Sequence, residues 1–106
     1  MLKSNQVRRV VIIVDATLTN QFLEKVMEFG AKGYNYVSCK GRGTHTITGG
    51  PFSSNDLNRI EVLASEEVAE AILNYIHAVQ FQQFGQYALS AFSNIVEVDE
   101  RDRSFT

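Results

Sequence analysis

The order of apolar and polar positions along this chain predicts six elements. Residues 7–14 are β-branched almost throughout, with Val10, Ile12 and Val14 on one parity and Val11 and Ile13 on the other, so they read as a strand that is apolar on both faces. The period then changes. Leu18, Phe22, Val26 and Phe29, with Leu23 and Met27 beside them, recur at helical spacing; Thr17 or Thr19 can accept N–H bonds at the start, and Gly30 can stop the helix. Residues 33–39, with Tyr34, Tyr36 and Val37, predict a second strand, and residues 60–63 a third. Ser65 caps a second helix, in which Glu66 and Glu67 suit the positive first turn and Val68, Ile72, Ile76 and Val79 form the buried stripe. That helix is expected to fray near Gln80, leaving residues 81–87 as a connector. Residues 88–98 read as the last strand, with Ser93 and Asn94 marking a bulge or break, and residues 99–106 as a charged tail.

Strand, helix, strand, strand, helix, strand is the split βαβ, or ferredoxin-like, order, an α+β fold in which an antiparallel sheet carries both helices on one face. The other face is then bare. A first strand that is apolar on both sides does not leave that face in water comfortably, so a closed homo-oligomer packed sheet to sheet is expected.

Composition narrows the setting. The 106 residues make one domain, 1–106, with no linker, and 44% hydrophobic with 21% charged residues is ordinary for a folded chain. A formal net charge of -2 removes any general attraction to nucleic acid, so local positive charge must carry any anion binding. The single cysteine, Cys39, cannot form an internal disulfide, residues 1–6 lack the apolar core of a signal peptide, and the longest aliphatic run, residues 10–14, is far short of the roughly twenty residues that span a bilayer. A cytoplasmic protein is expected, with any membrane role exerted through a partner.

The candidate chemistry lies in the connection between the second and third strands. Residues 40–57 hold Gly41, Gly43, Gly49, Gly50 and the only proline, Pro51, with Lys40, Arg42 and His45 crowded at one end and Asp56 at the other. Most connections in compact domains run to roughly four to six residues, and one this long is usually a binding loop or a disordered insert. Glycines let backbone N–H groups approach a ligand, and fixed cations beside them suit a phosphate chain. Enzyme readings are weaker. His77 near the end of the second helix suits the helix dipole, Cys39 reads as a small buried apolar residue, no zinc-type spacing appears, and acids such as Glu24 and Glu28 fall on a solvated helix surface. The turn after the first strand, Asp15-Ala16-Thr17, lacks the phosphate-binding arginine that acylphosphatases of this fold class place there. Gly33-Tyr34-Asn35 offers close backbone approach, and Phe84 and Tyr87 supply aromatic surface. In an oligomer these pieces can meet the basic loop across a subunit boundary, giving cations for phosphates and an apolar slot for a base.

Gly30-Ala31-Lys32-Gly33-Tyr34, then Lys40-Gly41-Arg42-Gly43, then Arg59-Ile60-Glu61-Val62-Leu63 before the second helix resembles the motif distribution of the PII-like family of trimeric signalling proteins, over nearly the whole chain. Within it the chain is most similar to the branch linked to inorganic carbon uptake, the SbtB-like and carboxysome-associated PII proteins. The similarity lies in the stretch Gly50-Pro51-Phe52-Ser53-Ser54-Asn55-Asp56, in Phe84-Gly85-Gln86-Tyr87-Ala88 and in Ile95-Val96-Glu97-Val98. The resemblance implies a homotrimer with adenine nucleotides in clefts between subunits, residues 40–57 as the T-loop that reports nucleotide state, and residues 81–87 as the B-loop. For the carbon-linked branch it implies AMP, ADP, ATP or cyclic AMP as ligands, bicarbonate sensitivity and a membrane bicarbonate transporter as target.

Carried over by position, Gly33, Tyr34 and Asn35 match the segment near the base, Gly41, Arg42 and Gly43 the phosphate-side turn, and Val62, Leu63 and Ala64 the strand end beside the adenine. Lys40, Thr44, His45, Phe84, Tyr87, Arg101 and Arg103 complete the candidate nucleotide site, with no catalytic or metal-binding residue and no cofactor. The chain departs from nitrogen-sensing members, which carry a lysine-rich B-loop and a modified T-loop tyrosine: it has no lysine after Lys40 and no tyrosine between Tyr36 and Tyr75. ATP with magnesium, 2-oxoglutarate sensing and uridylylation are therefore disfavoured, and AMP or ADP favoured. The expected function is a non-enzymatic sensor that regulates bicarbonate uptake. The alternatives are slow nucleotide hydrolysis at the same cleft, or a structural or metal-binding ferredoxin-like trimer.

Overall fold

The computed structural model describes residues 2–41, 56–83, 85–99 and 101–102. β1 (Gln6–Asp15) leads through a 3-10 turn, Ala16–Leu18, into α1 (Thr19–Glu28); β2 (Asn35–Lys40) and β3 (Asp56–Ala64) follow, then α2 (Glu66–Gln83) and β4 (Leu89–Glu97). The strands form one sheet in the order β2-β3-β1-β4, each neighbouring pair antiparallel. This is the ferredoxin-like arrangement expected from the element order. No helix among the described residues is long and apolar enough to cross a membrane.

Parity decides which side chains of β1 enter the core. Val10, Ile12 and Val14 pack with Ile60, Val62 and Ala64 of β3 against Phe22, Leu23 and Val26 of α1 and Ala69, Ile72 and Ile76 of α2. Each such aliphatic side chain contributes roughly 1.5–3 kcal/mol by leaving water. Tyr75 seals the junction of the two helices, its ring 5.7 Å from Phe22 and 5.6 Å from Phe29. Gly30 ends α1 in the left-handed region at φ 110, where a Cβ would also come within 3.3 Å of Val68 Cγ2, so a side chain there meets both strain and crowding.

Several boundaries differ from the expectation. Asp15, rather than a threonine, opens the first helical segment: its carboxylate accepts from Thr17 N at 2.9 Å and Thr17 Oγ1 at 2.6 Å. Ser65 does cap α2, accepting from Val68 N at 3.3 Å. That helix runs on to Gln83: residues 81–83 carry no glycine or proline, and Gln80 Nε2 donates to Leu89 O at 2.9 Å, tying the last turns to β4. Phe81 is accordingly helical, and His77 sits mid-helix rather than at the dipole end. Ser93 and Asn94 interrupt nothing. β4 keeps unbroken register with β1 from Gln6↔Glu97 to Val14↔Leu89, and Ser93 Oγ accepts a bond from the Arg8 guanidinium. Finally, the connection after β2 is shorter than residues 40–57: Lys40 closes β2, and Asp56 and Leu57 open β3 opposite Lys40 and Cys39.

Candidate functional site

The face of the sheet away from the helices is uncovered in the single chain. It presents Val7, Arg9, Val11 and Ile13 of β1, Arg59, Glu61 and Leu63 of β3, Asn35, Val37 and Cys39 of β2, and Phe92 and Val96 of β4, as the cross-strand pairs require. Val11 is fully buried by its neighbours, while Val37 and Phe92 are 57% and 47% exposed. Cys39 is half-buried rather than a core residue. A polar cluster interrupts this apolar surface. Arg9 Nε donates to Glu61 Oε2 at 2.7 Å, and Asn35 lies directly across from Glu61 on the edge strand. The Arg9 hydrogen bond holds the Glu61 carboxyl below its ordinary range; partial burial opposes this, and hydrogen bonding from Asn35 and the charge of Arg59 add to the lowering.

The sequence-derived site residues separate into two groups at opposite ends of the sheet. Gly33 and Tyr34 lead into Asn35 at the start of β2, and because β2 and β3 are antiparallel, Val62, Leu63 and Ala64 continue past that same point. Lys40 and Gly41 lie at the other end of β2, five residue steps or roughly 17 Å away at the usual rise of a strand. Tyr87 belongs with Lys40, since Ala88 O, next in the chain, accepts from Asp15 N at the end of β1 that pairs with Leu57. Arg101 belongs with the first group. It follows β4 beyond Val98, whose N–H bonds Asn5 O, and its guanidinium engages Asp99 with Nε to Oδ1 at 3.1 Å. That pairing holds Asp99 below the usual carboxylate range. Arg42, Gly43, Thr44, His45, Phe84 and Arg103 lie outside the described residues.

Each end carries an open hollow. One of about 240 Å³ at the Lys40 end is lined by Ser38, Cys39, Lys40, Asp56 and Asn58 among others, with Lys40 Nζ 3.7 Å from Asp56 Oδ1. This is below the roughly 300–1,000 Å³ of complete ligand pockets. The other, about 480 Å³, lies between the first residues of the chain and the start of α2 and is lined by Lys3, Gln6, Ser65, Glu66 and Glu67 among others. Its carboxylates repel an anion. Among the described residues no three His, Cys, Asp or Glu side chains gather as metal ligands. The Arg9–Glu61 pair is the feature that pattern reading passed over. Its trace in the sequence is Arg9, next to the aliphatic run of residues 10–14, and Glu61, between Ile60 and Val62, and their partnership appears only through the register of β1 on β3.

Known proteins resemble the whole of this arrangement. A PII-like signalling protein of Thermus thermophilus is 28% identical and superposes with a TM-score of 0.74 over 95% of this chain and 96% of its own. CPII of Thiomonas intermedia, in a structure with ADP, AMP and acetate, is 19% identical with a TM-score of 0.73 over 89% of each chain. Another structure of CPII, bound to ADP, AMP and bicarbonate, gives 18% identity and a TM-score of 0.70 over 92% of this chain and 96% of that one. No curated protein sequence matches the chain. The family model of the nitrogen regulatory protein P-II matches residues 7–99, from the first core residue of β1 to the residue that anchors Arg101. With all four strands and both helices inside that match but for Gln6 at the head of β1, the chain belongs to the P-II family.

Proposed function

We propose that this P-II family chain is a non-enzymatic sensor: a homotrimer that binds adenine nucleotides, AMP or ADP in preference to ATP, in clefts between subunits. The observation that carries this reading is the division of the site. The base-side residues Gly33, Tyr34, Asn35, Val62, Leu63 and Ala64 and the cation-side residues Lys40 and Gly41 lie at opposite ends of the β2–β3 pair, and the hollow beside Lys40 is too small for a nucleotide. A second copy completes it. The uncovered sheet face supplies the contact, because Val37 and Phe92 are surface that association removes from water.

The likeness to CPII, whose structures hold ADP, AMP and bicarbonate, supports the choice of ligands and adds bicarbonate as an effector. Ligand binding orders the segment after Gly41, since a glycine-rich stretch loses conformational freedom only when contacts repay it, and the ordered segment alters its fit to a target. The target in this reading is a membrane bicarbonate transporter, which would draw a cytoplasmic trimer to the inner membrane face. Calorimetry with AMP, ADP, ATP and cyclic AMP at millimolar concentration tests the reading most directly: AMP or ADP should bind, and no binding by any of the four removes it. Sedimentation at equilibrium should give three copies; a monomer would overturn the shared cleft.

A further inference from the structure

The open face holds a charge that nothing on it balances. Its ionised side chains are Arg9 on β1 and Arg59 and Glu61 on β3, two cations against one carboxylate, so each copy carries a surplus of one positive charge there. Arg9 takes the carboxylate, Nε to Oε2 at 2.7 Å, and Asn35 bonds it as well. Arg59 is left over. It is half-buried along β3, between Ile13 of β1 and Val37 of β2, and among the described residues it has no hydrogen bond or ion pair, meeting Glu61 only through its charge. A guanidinium does not shed its proton, so burial cannot neutralise it. Symmetry does not help either. Copies that meet through this face all bring the same surplus, and identical faces add it instead of cancelling it. An enclosed charge without a partner is costly, so the balancing anion has to come from outside the face.

We propose that Arg59 holds a small, doubly charged oxyanion of the sulfate or phosphate kind between the packed sheets, one anion to each set of three copies. The inference rests on the trimer reading above and adds to it a site separate from the nucleotide clefts. β3 is an inner strand, flanked by β2 and β1, so a side chain along it on the open face is directed toward the axis around which three sheets pack, and away from the sheet edges. Three symmetry-related guanidiniums then surround one point. A tetrahedral oxyanion has acceptor oxygens for a charge-assisted bond to each, and its two negative charges offset most of the combined surplus. Bicarbonate, planar and singly charged, meets the same donors with half the charge and should bind about tenfold more weakly.

Inorganic sulfate is the probe, added to the intact, nucleotide-free protein in chloride buffer of constant ionic strength. Calorimetry should give one sulfate for every three chains, and sulfate at low millimolar concentration should raise the melting temperature above that in chloride. Arg59→Leu should still sediment as three copies but lose both the sulfate binding and the rise in melting temperature. If Arg59→Leu does not fold, the one-to-three ratio of the wild type and the loss of binding in Arg59→Gln decide the matter. One sulfate per chain, binding that survives both substitutions, or no sulfate binding by a wild type that sediments as three copies overturns the inference and leaves the trimer standing. A wild type that sediments as a monomer overturns the trimer, and this inference with it.

Discussion

The two faces of one sheet differ in what they ask of the chain. On the helix side, Val10, Ile12 and Val14 are fully buried within a single copy, and the cation there, Arg8, is satisfied internally by Ser93 and by Glu66 at 3.4 Å. On the open side the same strand offers Val11 and Ile13, but the surrounding Val37 and Phe92 remain in solvent, and Arg9 and Glu61 pair with each other while facing outward. One face finishes the fold and the other begins an interface. A strand that is apolar on both parities is therefore evidence of assembly as much as of stability.

The sharpest test of that contrast substitutes neighbouring residues of β1. Ile12→Lys drives a charge into the layer between sheet and helices, where the described core residues are all apolar. Since removing an isoleucine side chain alone costs about 2–5 kcal/mol out of a total stability of about 5–15 kcal/mol, the chain should fail to fold, as far-ultraviolet dichroism and urea titration would show. Ile13→Lys should instead leave each copy folded and dissociate the assembly, because Ile13 faces outward opposite Arg59 and the new cation repels its own kind across the interface. Wild-type sedimentation of Ile13→Lys would show that the open face is not where copies meet.

Much of this contrast was legible beforehand, and the reasons are physical. The period-2 pattern in residues 7–14 and the helical spacing of Phe22, Val26, Ile72 and Ile76 report burial, and burial is what those side chains do in the fold. Element ends were less legible. Phe81, Gln82 and Gln83 carry no breaker, so α2 runs through Gln83, and Gln80 and Gln83 bond onward to the carbonyls of Leu89 and Tyr87 in a way no local pattern encodes. Asp56 and Leu57 look like loop residues until Lys40 and Cys39 are placed opposite them. The same holds at the site. Arg9 and Glu61 are 52 residues apart in sequence, and only the pairing of β1 with β3 makes them partners.

A third prediction separates ligand binding from both faces. Arg42, one residue beyond the last described position of the connection, sits between Gly41 and Gly43, and a guanidinium there suits bidentate contact with phosphate oxygens or bicarbonate. Arg42→Ala should weaken nucleotide or bicarbonate binding by about ten- to a hundredfold, roughly 1.5–3 kcal/mol, since hydrogen bonds to charged groups are worth about that much. The melting temperature without ligand and the sedimentation profile should hardly move. Unchanged affinity for both ligands would remove Arg42 from the site.

The smallest effect expected is one of pH, and it compares the open-face ion pair with the exposed one in the tail. Glu61 titrates below its ordinary value of 4.5 because Arg9 bonds the ionised form. A carboxyl whose pKa is depressed by folding adds stability that is present above the unfolded value and is lost as pH falls through the folded one. Between pH 7 and 5 the contribution of Glu61 should thus be constant, and below about 4.5 it should decline. Its size is about 1 kcal/mol at most, because water reaches both partners and screens a bond of this kind. Asp99 is lowered in the same direction by Arg101, but the pair is exposed and water screens it, so Asp99→Asn should leave the acid limb of thermal unfolding where it is. Glu61→Gln should flatten that limb while costing stability near neutral pH. An acid limb identical in wild type and Glu61→Gln would mean that the Arg9 bond contributes nothing to the fold.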